Sequence, residues 1–418
     1  MNGAQAGAEG PLSGRRVLEL GSMLAAPFGA HILAELGAEV IKIEPPSGDS
    51  TRSLVRGGPS GTLLAYSHGK KSLSIDLAQP GGIEAFRALL KTADILIHNL
   101  APRSARKLGL GYEDCAAVQP AIVYCHIRGY GEGPLADELA SNPVAEASTG
   151  VMEGNRLNGR PSRLGPSYHD QFAGAYAVIG ILSALLAPRP SAATHCIEVG
   201  LYETGLHVAA RDLAGVQLKT QLLGRPEREP NGEFSMPGYG AYQTADERWL
   251  YLLILNDGHW QKFCQALAVT EGLDPSLARL RDRKKQRERV ESLVIAAVGA
   301  HAFDAVEAQL KAGGVGCTEV LPIERVLESP QARHPGKLHH FSYRGLRFEV
   351  PRFPVGNAGE AAAPSAAQTA LAELGADSAA VLATADIAAD RYAGLLAQGA
   401  VHDHDPAAFT WAPVRTTT

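Results

Sequence analysis

A chain of 418 residues, 45% hydrophobic and 20% charged, with 45 glycines and 26 prolines, is too long for one ordinary core. That composition suits a soluble globular enzyme of two or more domains and excludes a fibre or a disordered chain. The net charge of −5 argues against wholesale nucleic-acid or anionic-membrane binding, and the scattered Cys115, Cys125, Cys196, Cys264 and Cys317 suit reduced thiols better than a disulfide framework or zinc site.

Residues 1–14 lack a basic segment followed by an apolar one, so no signal peptide is expected. Residues 15–21 read as a buried strand ending in Gly21, 25–36 carry helical periodicity closed by Gly37, and 38–44 read as a second strand. A strand–helix–strand of this spacing implies a right-handed crossover and a parallel pair. The pattern continues with a helix over 82–92, strands over 95–99 and 121–127, an apolar helix over 172–188 and a strand over 195–200. Such alternation predicts an α/β fold with a doubly wound parallel sheet. The apolar run of roughly 16 residues is shorter than the ~20 that span a bilayer, so it reads as a core helix and the protein as cytoplasmic.

Residues 222–237, polar and rich in Gly and Pro, read as a linker. A smaller α/β unit follows, with a strand over 249–255, a helix over 260–268, a charged helical stretch over 279–301 and a helix over 304–313. The charge run Arg279 to Arg289 mixes both signs and reads as a solvated helix face. After a second linker at 329–338 come Pro-flanked strands near 343–350, an Ala-rich helix near 364–384 and a polar tail. The expected organisation is a large domain over 1–222, a small domain over 223–330, and a segment over 331–418 that returns to the large domain.

Two local features carry chemistry. The first β–α turn, Gly21-Ser22-Met23-Leu24-Ala25-Ala26-Pro27, has no second glycine until Gly29, so a dinucleotide is not expected there although Glu44 sits where a ribose-binding acid would. Asp170 stands at the head of the long apolar helix, where an aspartate is either an end cap or a reaction centre. No Glu or Gln at Ala173 completes a capping box. The two roles are compatible, because a helix N-terminus favours an ionised carboxylate. His126, inside a strand, reads as a buried structural histidine, and His169 is expected to point away from Asp170.

Further motifs run in order along the chain. They are Lys42-Ile43-Glu44-Pro45-Pro46-Ser47-Gly48-Asp49, Gly69-Lys70-Lys71-Ser72, Ala93-Asp94 to Asn99-Leu100-Ala101-Pro102, Leu108-Gly109-Leu110-Gly111-Tyr112-Glu113, Gly129-Tyr130-Gly131-Glu132-Gly133-Pro134, the Asp170 segment, Tyr242-Gln243-Thr244-Ala245-Asp246 and Glu324 to Pro330. In this order and spacing, over roughly 14–355, the chain resembles the class III coenzyme A transferases. That group includes formyl-CoA transferase, carnitine CoA-transferase and alpha-methylacyl-CoA racemase.

The resemblance implies a Rossmann-like large domain built from both chain ends, a smaller α/β domain inserted near 225–330, and an interlocked homodimer. It implies acyl-CoA and a carboxylic acid as substrates, with no tightly bound cofactor and no metal. By position in the family motifs, Asp170 is the catalytic aspartate, attacking the thioester to give an aspartyl–acyl anhydride and then an aspartyl-CoA thioester. Met23, Leu24 and Ala25 would face the cofactor, and Lys70, Asn99, Leu100, Ser104, Lys107 and Leu108 would line the nucleotide and pantetheine path. Pro45 stands where some members carry an arginine. His126, Tyr130, Asn142 and His169 are the candidates to line or support the acyl site. A glycine-rich loop covers the site in several members, and the corresponding stretch 231–240 lacks a run of glycines.

The racemase branch needs a histidine a little after Gly-Pro, and Asn142 followed by Pro143 occupies that place here. Neither transfers a proton at neutral pH. A CoA transferase is therefore expected, with an acyl-CoA racemase or isomerase and a non-catalytic CoA-binding protein as rivals, and with intramolecular transfer left open. Arg128, Arg156, Arg160 and Arg163 flank the Asp170 segment and lean towards a dicarboxylate substrate.

Overall fold

The computed structural model describes residues 10–55, 58–188, 191–226, 236–355 and 370–405. The chain forms two compact units, Met1–Ala210 with His334–Thr418, and Arg211–Arg333. These bounds differ from the expected 222/223 and 330/331, because nearly all of the helix after residue 209 falls with the second unit.

The first unit begins with β1 (Arg16–Leu20), α1 (Ala25–Glu35), β2 (Glu39–Glu44), α2 (Gly61–Tyr66), β3 (Lys71–Ile75), α3 (Pro80–Leu90) and β4 (Ile95–His98). It continues with α4 (Pro102–Lys107), α5 (Tyr112–Val118), β5 (Val123–Arg128), α6 (Asn142–Ser148), α7 (Val151–Gly154), the short hairpin β6–β7 (Arg156–Leu157 and Arg160–Pro161) and α8 (Tyr168–Leu185). Then come α9 (Ala192–His195), β8 (Cys196–Gly200) and α10 (Leu201–Val208), and α11 (Ala210–Leu223) leads into the second unit. That unit holds β9 (Tyr239–Gln243), β10 (Trp249–Leu253), α12 (Asp257–Ala266), α13 (Leu280–Lys285), α14 (Arg287–Gly299), α15 (Phe303–Ala312) and β11 (Cys317–Glu319). The returning segment contributes β12 (Leu338–Tyr343), β13 (Leu346–Pro351), α16 (Ser378–Ala383), α17 (Ala389–Ala397) and β14 (Val401–His402).

The main sheet has seven strands in the order β14-β3-β2-β1-β4-β5-β8, parallel throughout except for the antiparallel edge strand β14. Successive strand residues face opposite sides. Val17, Val40, Ile95, Ile97, Val123 and Cys125 enter one core with α1 and α8. Leu18, Leu20, Ile41, Ile43, Leu73 and Leu96 enter a second core with α3, α16 and α17. Covering both faces is why these strands read as nearly continuous apolar runs. Two strands of this sheet were not legible in the sequence. Strand β3, KSLSI, buries two serines, Ser72 and Ser74, and β14 is too short to show a period.

The second unit packs β9, β10 and β11 under α12, α14 and α15 around Trp260, Phe263, Val290, Val294 and Val306. The charge run there is not wholly solvated. Arg283 is fully buried, donating to the Leu277 and Ala278 carbonyls and to Asp257, with its guanidinium over the Trp260 ring. The Asp257 carboxylate and two backbone carbonyls hold that cation inside, which a count of charges cannot foresee. The expected linker at 222–237 and the stretch 231–240 fall partly outside the described residues, as does the start of the helix expected at 364–384. No single helix among the described residues is long and apolar enough to cross a membrane.

Candidate active site

Helices α1 and α8 both run from the carboxyl edge of the parallel sheet, since α1 follows β1 and α8 leads back to the start of β8. They cross at two glycines. A Cβ on Gly174 would lie 2.6 Å from the Ala25 carbonyl oxygen, and one on Gly29 would lie 3.0 Å from the Gly174 oxygen. Asp170 is one helical turn before Gly174, on the same face. The crossing therefore sets the carboxylate level with the β1–α1 turn.

That turn is braced from two sides. Asn99, just past β4, donates its Nδ2 to the Ser22 carbonyl at 2.9 Å and accepts from the Ser22 N–H at 3.0 Å. Lys42 Nζ donates to the Gly21 carbonyl at 2.9 Å and Lys70 Nζ to the Pro27 carbonyl at 2.9 Å. Both lysines are buried and share Glu19, at 2.8 and 2.6 Å, while Lys42 also meets Asp49 at 2.9 Å. Burial pulls the Lys70 ammonium down to about 8, against the attraction of Glu19. Lys70 thus holds the turn from inside and is not presented to solvent as a phosphate-facing cation. Glu44 is likewise committed, to a bidentate pair with Arg52 at 2.6 and 2.7 Å.

Beta strand 1 sends its helix to one face of the sheet, whereas the chain after β4 goes to the other. Open α/β sheets bind ligands at such a divergence. Met23, Leu24 and Ala25 lie on the first branch; Asn99, Leu100, Ser104, Lys107 and Leu108 lie on the second. Met23 is half-exposed at a φ of +61°, a backbone region costly for an unbranched L residue, and its Sδ lies 3.2 Å from Ser50 Oγ. Ala25 is buried, Ser104 and Lys107 are exposed on α4, and Leu100 and Leu108 pack against the second core.

Asp170 is not the cap of its helix. Helix α8 starts two residues earlier, with Ser167 at the cap position making no side-chain cap bond. The cap comes from Asn142 at the start of α6, whose Oδ1 accepts from the His169 N–H at 3.0 Å and the Asp170 N–H at 3.3 Å. No hydrogen bond or ion pair ties the Asp170 carboxylate among the described residues. Burial pushes its carboxyl up to about 6, opposed by Arg163 and reinforced by Glu146. This reverses the expected depression, because the first-turn amides serve Asn142 instead of the aspartate.

The two histidines are both buried. His126 Nε2 donates to the Leu100 carbonyl at 2.8 Å and its ring stacks on His98 at 4.2 Å, with burial holding the imidazole below its ordinary value. His169 is buried beside Thr149, 3.4 Å from its Nε2, and packs on Gly205. Burial lowers it too. Tyr130 lies beyond β5 with its ring 5.6 Å from that of Tyr202.

Of the four arginines, Arg128 pairs with Glu198 at 3.0 Å and Arg156 with Glu153. Arg160 is exposed, and Arg163 reaches Ser167 Oγ at 3.3 Å while acting on Asp170. Glu146, fully buried one turn after Asn142, was missed in the sequence. Its only local signal is a Glu one helical turn after the Asn of a helix-starting Asn-Pro.

The profile of CoA-transferase family III matches residues 12–378. The chain is 35% identical over 272 residues to the succinate–glutarate CoA-transferase of Agrobacterium fabrum, covering 62% of this chain and 67% of that one. It is 30% identical over 327 residues to the succinyl-CoA–D-citramalate CoA-transferase of Chloroflexus aurantiacus, covering 77% and 81%. In structure it is similar to a CAIB/BAIF family protein from Brucella suis, with a TM-score of 0.76 at 27% identity over 91% of this chain and all of that one. With a parallel sheet carrying a desolvated, non-capping aspartate at its carboxyl edge, and a family profile that runs through nearly all of it, the chain belongs to CoA-transferase family III.

Proposed function

We propose that this enzyme moves CoA between carboxylic acids through covalent intermediates on Asp170. An Asp170 oxygen attacks the thioester carbonyl of the donor, the C–S bond breaks, and CoA thiolate leaves an aspartyl–acyl anhydride. The thiolate then attacks the aspartyl carbonyl, releasing the donor acid and leaving an aspartyl-CoA thioester. The acceptor carboxylate repeats both steps in reverse. Dividing the exchange in this way replaces one difficult displacement with easier ones. The observation that carries this reading is the free Asp170 carboxylate, half-buried and relieved of capping by Asn142.

Met23, Leu24, Ala25, Asn99, Leu100, Ser104, Lys107 and Leu108 are the residues we assign to CoA, on the two diverging branches; Lys70 acts by bracing the β1–α1 turn. We read the substrates as dicarboxylates. The relatives named for succinate, glutarate and citramalate support this, as does Arg163, the cation that acts on Asp170. A racemase is disfavoured, because His126 and His169 are buried, His126 Nε2 is taken by the Leu100 carbonyl, and the Asn142 amide is bonded at both ends. We further read residues 211–333 as the inserted small domain, and the working form as a homodimer.

Trapping tests the chemistry. Incubation with succinyl-CoA and other acyl-CoAs, followed by hydroxylamine and peptide mapping, is expected to give a hydroxamate at Asp170 that is lost in Asp170→Ala. No adduct with any donor, accompanied by α-proton exchange into deuterated buffer, would favour an isomerase. CoA binding with neither signal would indicate a non-catalytic binder.

A further inference from the structure

Asn142 can cap α8 only while its amide is held one way round. The two ends of an asparagine amide are nearly the same size, and only the hydrogen bonds decide which faces a given partner. Here Oδ1 faces two N–H donors, those of His169 and Asp170. Nδ2 must therefore find an acceptor in a site where Asn142 is only 2% exposed. That acceptor is Glu146 Oε1, 2.5 Å away and one turn along α6. The other oxygen of Glu146 accepts from the Leu164 N–H at 3.3 Å, in the loop that leads into α8. Among the described residues Glu146 has no cationic partner, although it is fully buried. A buried carboxylate without a counter-charge is costly and persists when its hydrogen bonds do something that an apolar residue cannot.

We propose that Glu146 is a positioning residue for the reaction at Asp170, fixing the Asn142 amide so that its oxygen caps α8 and the Asp170 carboxylate stays free to attack. This rests on Asp170 being the nucleophile. If Asn142 turned over, its NH2 would face the N–H groups of His169 and Asp170, donor against donor. Those amides would then need an acceptor from their own helix end, where Ser167 at the cap position and the Asp170 carboxylate carry side-chain oxygens. An aspartate folded back onto its own helix end is the cap that α8 otherwise does not need.

The donor and acceptor roles predict a rescue. In Glu146→Gln the new amide must donate to one of its two neighbours, both of which already donate, so the Asn142 orientation is lost. In Asn142→Asp two carboxylates face each other. In the double variant Asn142→Asp/Glu146→Gln, the glutamine NH2 donates to the aspartate, its oxygen accepts from the Leu164 N–H, and the aspartate caps α8. Each single variant is expected to lower kcat by about tenfold to a hundredfold, as misplacement of a reacting group does, with KM for succinyl-CoA changed less than about twofold. The double variant is expected to regain kcat to within about threefold of the parent enzyme, a strongly non-additive pair.

The measurement is full kinetics on all four proteins, with their thermal midpoints and hydroxylamine labelling at Asp170. Singles with unchanged kcat, or effects that simply multiply in the double variant, overturn the proposal. So does a double variant that regains the parent midpoint without regaining kcat, since the pair would then be structural only. If the parent enzyme shows no label at Asp170, the nucleophile reading itself fails. A labelled parent without rescue removes only the role of Glu146.

Discussion

At the residue scale, the neighbours of Asp170 decide that it is not the cap of its helix. An aspartate beside a helix end is ordinarily a cap, and the local sequence favours that use. The structure assigns the cap to Asn142, so the aspartate carries a desolvation penalty with no hydrogen bond to offset it. Its carboxyl, pushed up to about 6, ionises not far below neutral pH, where a carboxylate is still basic enough to be a good nucleophile. Two outcomes follow. kcat/KM is expected to fall as pH drops through about 6, because the protonated acid does not attack. The native pKa lies above the ordinary 3.8, so the folded state is disfavoured by ionisation above about 6 and this cost vanishes below about 3.8. Asp170→Asn should therefore be inactive yet more stable at pH 7, by on the order of 1–3 kcal/mol, with the gain absent at pH 3.5. Urea denaturation of both proteins at the two pH values checks this, and an equal gain at both would refute the assignment to Asp170.

At the element scale, the site depends on how closely α1 and α8 approach. Gly29 and Gly174 let the helix backbones meet with the Ala25 carbonyl against Gly174, and that contact carries Asp170 to the level of the β1–α1 turn. Gly174→Ala would put a methyl 2.6 Å from a backbone oxygen that cannot turn aside, so the helices must part. Overpacking of this kind costs about 1–3 kcal/mol. We expect a lower urea midpoint together with a fall in kcat larger than any change in KM. In the sequence Gly174 is simply a glycine within the apolar run. Its purpose requires a second helix that the sequence does not place.

At the scale of the whole molecule, several helices expose apolar side chains. Helix α11 buries none of its residues and leaves Leu213, Leu218, Leu222 and Leu223 41–72% exposed. On α8, Ile179 is 59% exposed, and Leu186 just beyond it 85%. Exposed apolar side chains on a helix that buries none of its residues suit an interaction face. The homodimer reading accounts for it, and sedimentation equilibrium is expected to give about twice the chain mass of 44.0 kDa. A species that stays at the chain mass across micromolar concentrations would count against it.

The apolar periods of β1, α1, β2, β4, β5, α8 and β8 sit in the sequence because each repeats over several residues, and they were enough for a doubly wound parallel sheet. The family was legible for a related reason: the motifs are local and ordered. What the sequence could not reveal depends on partners far apart in the chain. Lys70 reads as an exposed cation until Glu19, 51 residues away, takes its ammonium into the interior. Arg283 reads as solvated until carbonyls and Trp260 enclose it. Asn142 reads as a missing histidine until α6 packs its amide against the first turn of α8, 27 residues on. A side chain's charge and its hydrogen-bonding capacity belong to the residue, but whether they are spent inside the protein or offered to a substrate is fixed only when tertiary packing chooses the partners.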